Sequence, residues 1–293
     1  MRIVFIGAVE FSLRALERLV ELDAEIVGVC TLQESKFNAD HADLRGFSDA
    51  HAIPSFYVDD INSIETLNWI RDKSPDVIFC FGWSRLIKQD LLELAPMGVV
   101  GFHPAALPAN RGRHPIVWAL VLGLKNTAST FFFMDACVDS GDILSQQEIS
   151  IVEEDDARIL YDKVIQTALT QIAEFLPKLA NRSFQRIKQN EQFANVWRKR
   201  RSSDGEIDWR MSAQSIHNLV RGLAAPYVGA HFLVDGKEIK VWKSAIFLDA
   251  PNHIEAGKVL LKTNDGLVVK CGVDAISLLV TQPEFTANLG DYL

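Results

Sequence analysis

Through its first half the chain alternates short, wholly apolar runs with amphipathic segments, and that alternation predicts its architecture. RIVFIGA (2–8), EIVGVCT (25–31), DVIFCFG (76–82), GVVGF (98–102) and ASTFFFM (128–134) read as strands buried on both faces. Between them, EFSLRALERLVEL (10–22) places Phe11, Ala15, Leu16, Leu19 and Val20 on one helical stripe. IETLNWIRDK (64–73) and PIVWALVLG (115–123) predict two more helices. A longer helix is expected at about 156–180, capped by Asp155 or Asp156, with Ile159, Leu160, Val164, Ala168, Leu169, Ile172, Phe175 and Leu176 on its apolar face. Continuous apolar strands interleaved with helices predict a doubly wound α/β fold around a parallel sheet.

The pattern changes near residue 200. RKRRSSDGEIDW (198–209) is polar and rich in turn formers, which suits a junction between a domain at 1–200 and a second at 201–293. One helix is expected at about 212–223. GAHFLV, EIKVWKSAIF, GKVLLKT, GLVVKCG and AISLLV then follow as short strands, separated by turn signals such as Asp235-Gly236 and Asn264-Asp265-Gly266. Regular spacing of short strands predicts a small antiparallel barrel or sandwich.

Composition narrows the class. The 293 residues are 48% apolar and 23% charged, ordinary values for a globular enzyme. No apolar run approaches the ~20 residues of a membrane span, and MRIVFIGAVEF reads as a buried first strand rather than a signal peptide. Cys30, Cys80, Cys137 and Cys271 are far apart with no C-x-x-C pair, which points to reduced thiols in a cytoplasmic protein. A net charge of −8 argues against a general nucleic-acid binder while leaving room for a local basic patch. No His/Cys/Asp cluster has metal-ligand spacing, so no metal is expected.

Doubly wound sheets bind ligands at the carboxyl ends of their strands. Gly7 stands alone after the first strand with no G-x-G-x-x-G, so it marks a tight turn beside a site and not a dinucleotide fingerprint. Gly82 in FCFGWSRLI follows another strand, His103 in GFHP follows a third, and Asp135, Asp139 and Asp142 in MDACVDSGDIL follow a fourth. Singly, a histidine or an aspartate before Ser-Gly is most often structural. Their joint placement at one sheet edge suits a general base, because a carboxylate can hold an imidazole tautomer and raise its basicity.

GFHPAALPANRGRHPIVWALVLG, followed by MDACVDSGDIL, resembles the folate-dependent formyltransferase family; SPDVIFCFGWSRLI and DGEIDW…SIHNLVRGLAAPYVGAHF extend the resemblance over nearly the whole chain. The family pattern is Asn-x-His-x-x-x-Leu-Pro, an Arg-Gly loop, then Asp-x-Gly. The resemblance implies a Rossmann-like, mostly parallel catalytic domain, a C-terminal OB-like β-barrel, and formyl transfer from N10-formyltetrahydrofolate to an amine. It implies that His103 and Asp139 are catalytic, and that Phe81, Gly82, Trp83, Arg85, Leu86, Ile87, Asp139 and Asp142 surround the pterin. One position departs. Where the family carries its catalytic asparagine, two residues before the histidine, this chain has Gly101. That asparagine helps hold the formyl oxygen, and loss of such a donor typically costs about 2.7–4 kcal/mol in the transition state. Asn110 in LPANRGRHP is the nearest replacement if its loop folds back beside His103; Asn126 is a weaker candidate at a turn, and a water or protonated His103 are others.

The acceptor is read from charge and from the same resemblance. The likeness is greatest to bacterial sugar-nucleotide N-formyltransferases, which implies a UDP- or dTDP-linked 4-amino-4,6-dideoxy sugar used for surface glycans, the pseudaminic-acid route among them. Arg111, Arg113 and the Gly7 turn are then the expected substrate contacts, the arginines facing a diphosphate. Methionyl-tRNA is the alternative acceptor and requires basic surface. Yet Ser202–Leu293 holds 8 Lys and Arg against 11 Asp and Glu, and LQESKFNADHADLRGFSD has Lys36 and Arg45 against Glu34, Asp40, Asp43 and Asp49. A purine-pathway enzyme of this family would lack the second domain. A folate-binding relic disabled at Gly101 is the non-enzymatic alternative. No nucleic-acid or membrane partner is expected, and a homodimer is left open.

Overall fold

The structure, a computed structural model, describes residues 1–35, 39–263 and 266–293. Lys36 of the acidic loop and the Asn264-Asp265 pair of the expected turn lie outside them. The chain divides into two compact units. The first comprises Met1–Gly112, Thr127–Ile149 and Asp162–Trp197; the second comprises Arg113–Asn126, Ser150–Tyr161 and Arg198–Leu293.

In chain order the elements begin β1 (Ile3–Ile6), α1 (Glu10–Glu21), β2 (Ile26–Thr31), α2 (Arg45–Ala50), β3 (Ser55–Tyr57), α3 (Ile64–Asp72) and β4 (Val77–Cys80). They continue with α4 (Gln89–Leu92), β5 (Val99–His103), β6 (Arg111–Gly112), α5 (Pro115–Val121), β7 (Asn126–Phe133), β8 (Ile143–Ser150), α6 (Ala157–Ala180) and β9 (Val196–Trp197). The last are α7 (Ala213–Gly222), β10 (Ala230–Val234), β11 (Lys237–Phe247), β12 (Val259–Thr263), β13 (Gly266–Lys270) and β14 (Ala275–Gln282).

The first unit is built on a seven-stranded sheet of order β3-β2-β1-β4-β5-β7-β8. β3, β2, β1, β4 and β5 run parallel. β7 runs antiparallel to β5, with Gly101 opposite Phe132 and His103 opposite Thr130. The helical segment between them, α5, belongs to the second unit, so β5 and β7 do not form the βαβ crossover that a parallel pair requires. The order reverses between β1 and β4, the kind of switch point at whose carboxyl ends doubly wound sheets bind ligands. A cluster of phenylalanines lies under it: Phe5, Phe79, Phe81 and Phe131 are fully buried, with Phe81 and Phe131 in edge contact at 5.1 Å. Of the two expected caps for α6, Asp156 accepts from the Ile159 amide at 2.9 Å, while Asp155 closes the preceding turn through the Val152 amide at 2.9 Å. Such a cap contributes about 1 kcal/mol.

The second unit holds an antiparallel five-stranded sheet, order β10-β11-β14-β13-β12. Its apolar face packs Phe232, Val241, Val269 and Leu278 against Ile216 and Leu219 of α7 and against Trp209. Buried Arg221 donates to the carbonyls of Val152 (2.9 Å) and Asp155 (3.0 Å), which ties the 150–161 segment into this unit. Among the described residues no helix is long and apolar enough to cross a membrane.

Candidate active site

Strand alternation decides where His103 points. Phe102 turns to one face of β5 and meets Phe11 at 4.2 Å and Phe131 at 4.9 Å, so Gly101 and His103 share the opposite face. His103 is only 5% exposed. Its Nε2 lies 2.8 Å from the Asn110 carbonyl, and its Nδ1 lies 3.6 Å from Asp139 Oδ2. A carbonyl oxygen can only accept, so Nε2 carries a hydrogen and donates it, and Nδ1 is the ring nitrogen that faces Asp139. The sequence reading had Asp139 hold the tautomer. The structure corrects this: the Asn110 carbonyl holds it, and the carboxylate stands beyond hydrogen-bond range, placed to stabilise the imidazolium once Nδ1 is protonated. Asp139 is itself fixed by the Gly112 amide, which donates to Oδ2 at 2.8 Å.

Three left-handed backbone positions shape this corner: Asn110 (φ 66), Gly112 (φ 103) and Asp139 (φ 52). At Gly112 the need for glycine is absolute, because an added Cβ would lie 2.3 Å from the Trp197 carbonyl across the β6–β9 ladder. Strained positions of this kind persist only where the surroundings overdetermine them, and a polar clamp does so here. Asn195 Oδ1 accepts from the Asn110 amide at 2.8 Å. Gln189 Nε2 donates to the carbonyls of Asp139 and Gly141, each at 2.8 Å. Arg111, 6% exposed, spends its fork on Gln189 Oε1 (3.1 and 2.7 Å) and on both Glu191 oxygens (2.9 and 2.7 Å). The Glu191 carboxylate beside it holds the guanidinium charged and is held ionised in return. Arg111 is thus a strut of the loop and not an arginine presented to a diphosphate. Gln189, Glu191 and Asn195 escaped the sequence reading because QNEQFANVW has the composition of any polar connector.

Above Gly101 the space is filled by a thioether. A Cβ at Gly101 would sit 2.7 Å from Met134 Cγ and 3.0 Å from its Sδ. The 104–114 loop does fold back, bringing Asn110 to His103 through the backbone. Asn126 opens β7 and is exposed.

The remaining expected contacts surround the switch point. Gly7 packs so closely that an added Cβ would lie 2.6 Å from the Phe81 carbonyl, and Ser12 Oγ donates to that same carbonyl at 2.6 Å. The Phe81 ring is fully buried in the core, and Ile87 is 5% exposed. Gly82 (φ 70) makes the turn. Leu86 is 69% exposed, with its carbonyl held by Asn62 Nδ2 at 2.9 Å, and Arg85 donates to the Asp59 carbonyl. Trp83 Nε1 is buried with no hydrogen-bond partner. An orphaned donor in a glycine turn beside an exposed leucine fits a flat heterocycle with polar edges. Across the sheet, Asp135 Oδ1 accepts from the Cys137 amide (3.0 Å) and Ser140 Oγ (2.7 Å), and the Asp142 carbonyl accepts from the Phe133 amide (2.8 Å). Arg113 is exposed and belongs to the second unit.

The family profile described as formyl transferase matches residues 1–175, and the one described as formyl transferase, C-terminal domain, matches residues 199–289. The methionyl-tRNA formyltransferase of Caldanaerobacter subterraneus subsp. tengcongensis is 31% identical over 295 aligned positions, covering 99% of this chain and 94% of the relative. That of Acetivibrio thermocellus is 32% identical over 287, covering 96% and 92%. An N-formyltransferase from Helicobacter canadensis, solved in complex with folinic acid and dTDP-3-aminofucose, shares the fold with a TM-score of 0.71 at 15% identity, over 94% of this chain and 98% of that one.

Proposed function

The chain belongs to the formyl transferase family and is a formyl-transferring enzyme that uses N10-formyltetrahydrofolate; from this premise we propose that it formylates the amine of a nucleotide-linked amino sugar, with His103 as its general base. The observation that carries the mechanism is the His103 ring, fixed by one backbone carbonyl with its free nitrogen facing a carboxylate. When bound, N10-formyltetrahydrofolate supplies a formyl group activated for attack by an amine. His103 Nδ1 takes the proton that the amine loses, Asp139 stabilises the imidazolium, and the same Nδ1–H returns the proton to the departing nitrogen. The retained pair also argues against a non-catalytic folate-binding protein. The four cysteines are free thiols, three of them buried, which supports a reducing cytoplasmic setting.

For the acceptor, the acidic balance of Ser202–Leu293 supports a small nucleotide sugar over a polyanion. A specific observation favours the second reading, methionyl-tRNA: the relatives at 31% and 32% identity carry that name. A panel of UDP- and dTDP-linked 4-amino-4,6-dideoxy sugars, run against methionyl-tRNA with formyl-folate consumption as readout, separates them. Consumption with a sugar nucleotide near physiological salt is expected; efficient tRNA formylation under those conditions reverses the assignment.

Asn110 remains the proposed replacement for the missing asparagine. Removing its amide, Asn110→Ala, is expected to lower kcat about 10²-fold while leaving its carbonyl bond to His103 intact. Because Met134 occupies the space over Gly101, rescue requires Gly101→Asn together with Met134→Ala. Partial recovery in that triple variant supports a relocated amide, and an unchanged kcat in Asn110→Ala ends the idea.

A further inference from the structure

The second unit carries an open cavity of about 810 Å³ lined by Arg198, Lys199, Arg200, Arg201, Ser203 and Asp204. Four consecutive cations are ordinarily a solvated face, but three observations set these apart. First, the segment is rigidly built. Arg198 forks onto Asp204 at 2.7 and 2.6 Å, the Arg201 amide donates to the same carboxylate at 2.6 Å, and Arg200 donates to the Asp204 carbonyl. The guanidinium groups of Arg198 and Arg200 lie 5.3 and 4.6 Å from the centre of the Trp118 ring, whose Nε1 donates to the Arg198 carbonyl at 3.0 Å.

Second, the charge is uncompensated. Asp204 is the only acid in the lining and is committed to Arg198; among the described residues no carboxylate pairs with the exposed side chains of Lys199 and Arg201. Third, the cations act together on a neighbouring side chain. Burial and the fields of Arg113, Arg200 and Lys199 push the His114 imidazole below its usual range, and its Nε2 is buried without a hydrogen-bond partner. Like charges gathered in one place repel one another, and an anion bound among them would offset that cost.

We propose that this cavity binds the diphosphate group of a nucleotide, with Arg198 and Arg200 as fixed walls and Lys199 and Arg201 as the contacts that close on the phosphate oxygens. The cavity's three uncompensated cations match the two to three negative charges of a nucleoside diphosphate, and its volume is of the size that small-molecule sites occupy. This deepens the nucleotide-linked acceptor assigned above and rests on it.

Calorimetric titration with inorganic pyrophosphate, UDP and dTDP tests the site without relying on turnover. The full-length protein is expected to bind all three, and Lys199→Gln with Arg201→Gln is expected to weaken each at least tenfold with unchanged melting temperature. Lys237→Gln, on β11, serves as the control and is expected to leave binding as it was. Nucleotide affinity that survives the double substitution, or that is matched by inorganic phosphate, overturns the site. So does a double variant that loses only tRNA binding. The two assignments fail separately. UDP binding at this cavity with no amino sugar formylated overturns the acceptor and supports the site. Amino-sugar turnover with an unchanged KM in the double variant overturns the site and supports the acceptor.

Discussion

Replacing His103 with asparagine or alanine lowers kcat by roughly 10³-fold, inside the range that a positioned general base contributes, while the affinity for formyl-folate and the melting temperature stay near wild type. The expectation follows from placement. His103 is buried at the end of β5 and held from one side only, through Nε2, so its removal deletes the proton acceptor without cutting a ladder hydrogen bond. Single-turnover kinetics with saturating formyl-folate separate the chemical step from binding. A variant that retains a tenth or more of wild-type kcat would show that another group takes the proton.

The second large effect is expected at Asp139. Asp139→Asn keeps an oxygen for the Gly112 amide, now 2.8 Å away, and so preserves the loop, but it removes the negative charge 3.6 Å from Nδ1. Since the tautomer is fixed by the Asn110 carbonyl, the loss reports stabilisation of the imidazolium alone. We expect about 10²-fold in kcat with KM nearly unchanged, the size of one charge-stabilising group in a water-poor site. Asp139→Ala is expected to lose more, because the Gly112 amide is then left without its acceptor in a corner built on left-handed backbone. Equal losses for the two variants would mean that Asp139 acts only as a loop anchor.

Much of this was legible in the chain. Strands buried on both faces must be continuously apolar, so β1, β2, β4, β5 and β7 stand out by composition. Helices α1, α3, α5, α6 and α7 follow from a period that matches one buried face. The strands that did not stand out are the short β6–β9 pair and the large sheet's two edges, β3 and β8. ILSQQEIS of β8 has polar residues at 145–148 because an edge strand needs no apolar side chains on both faces. The antiparallel entry of β7 was equally hidden, since FFF is as apolar in either direction.

The amino-acid sequence by itself determined the doubly wound sheet, the change of texture near residue 200, and the presence of a histidine and an aspartate past strand ends. These are consequences of short-range periodicity and residue chemistry, which need no partner to be read. Only the tertiary structure decided how those residues are used. It assigned the His103 tautomer to a carbonyl seven residues away, made Arg111 a strut through Gln189 and Glu191, and filled the space over Gly101 with Met134. Each of these is a pairing across the fold between a hydrogen-bond donor and acceptor, or between a void and the side chain that fills it. Such pairings leave no period in the chain, because either partner alone has the composition of an ordinary loop.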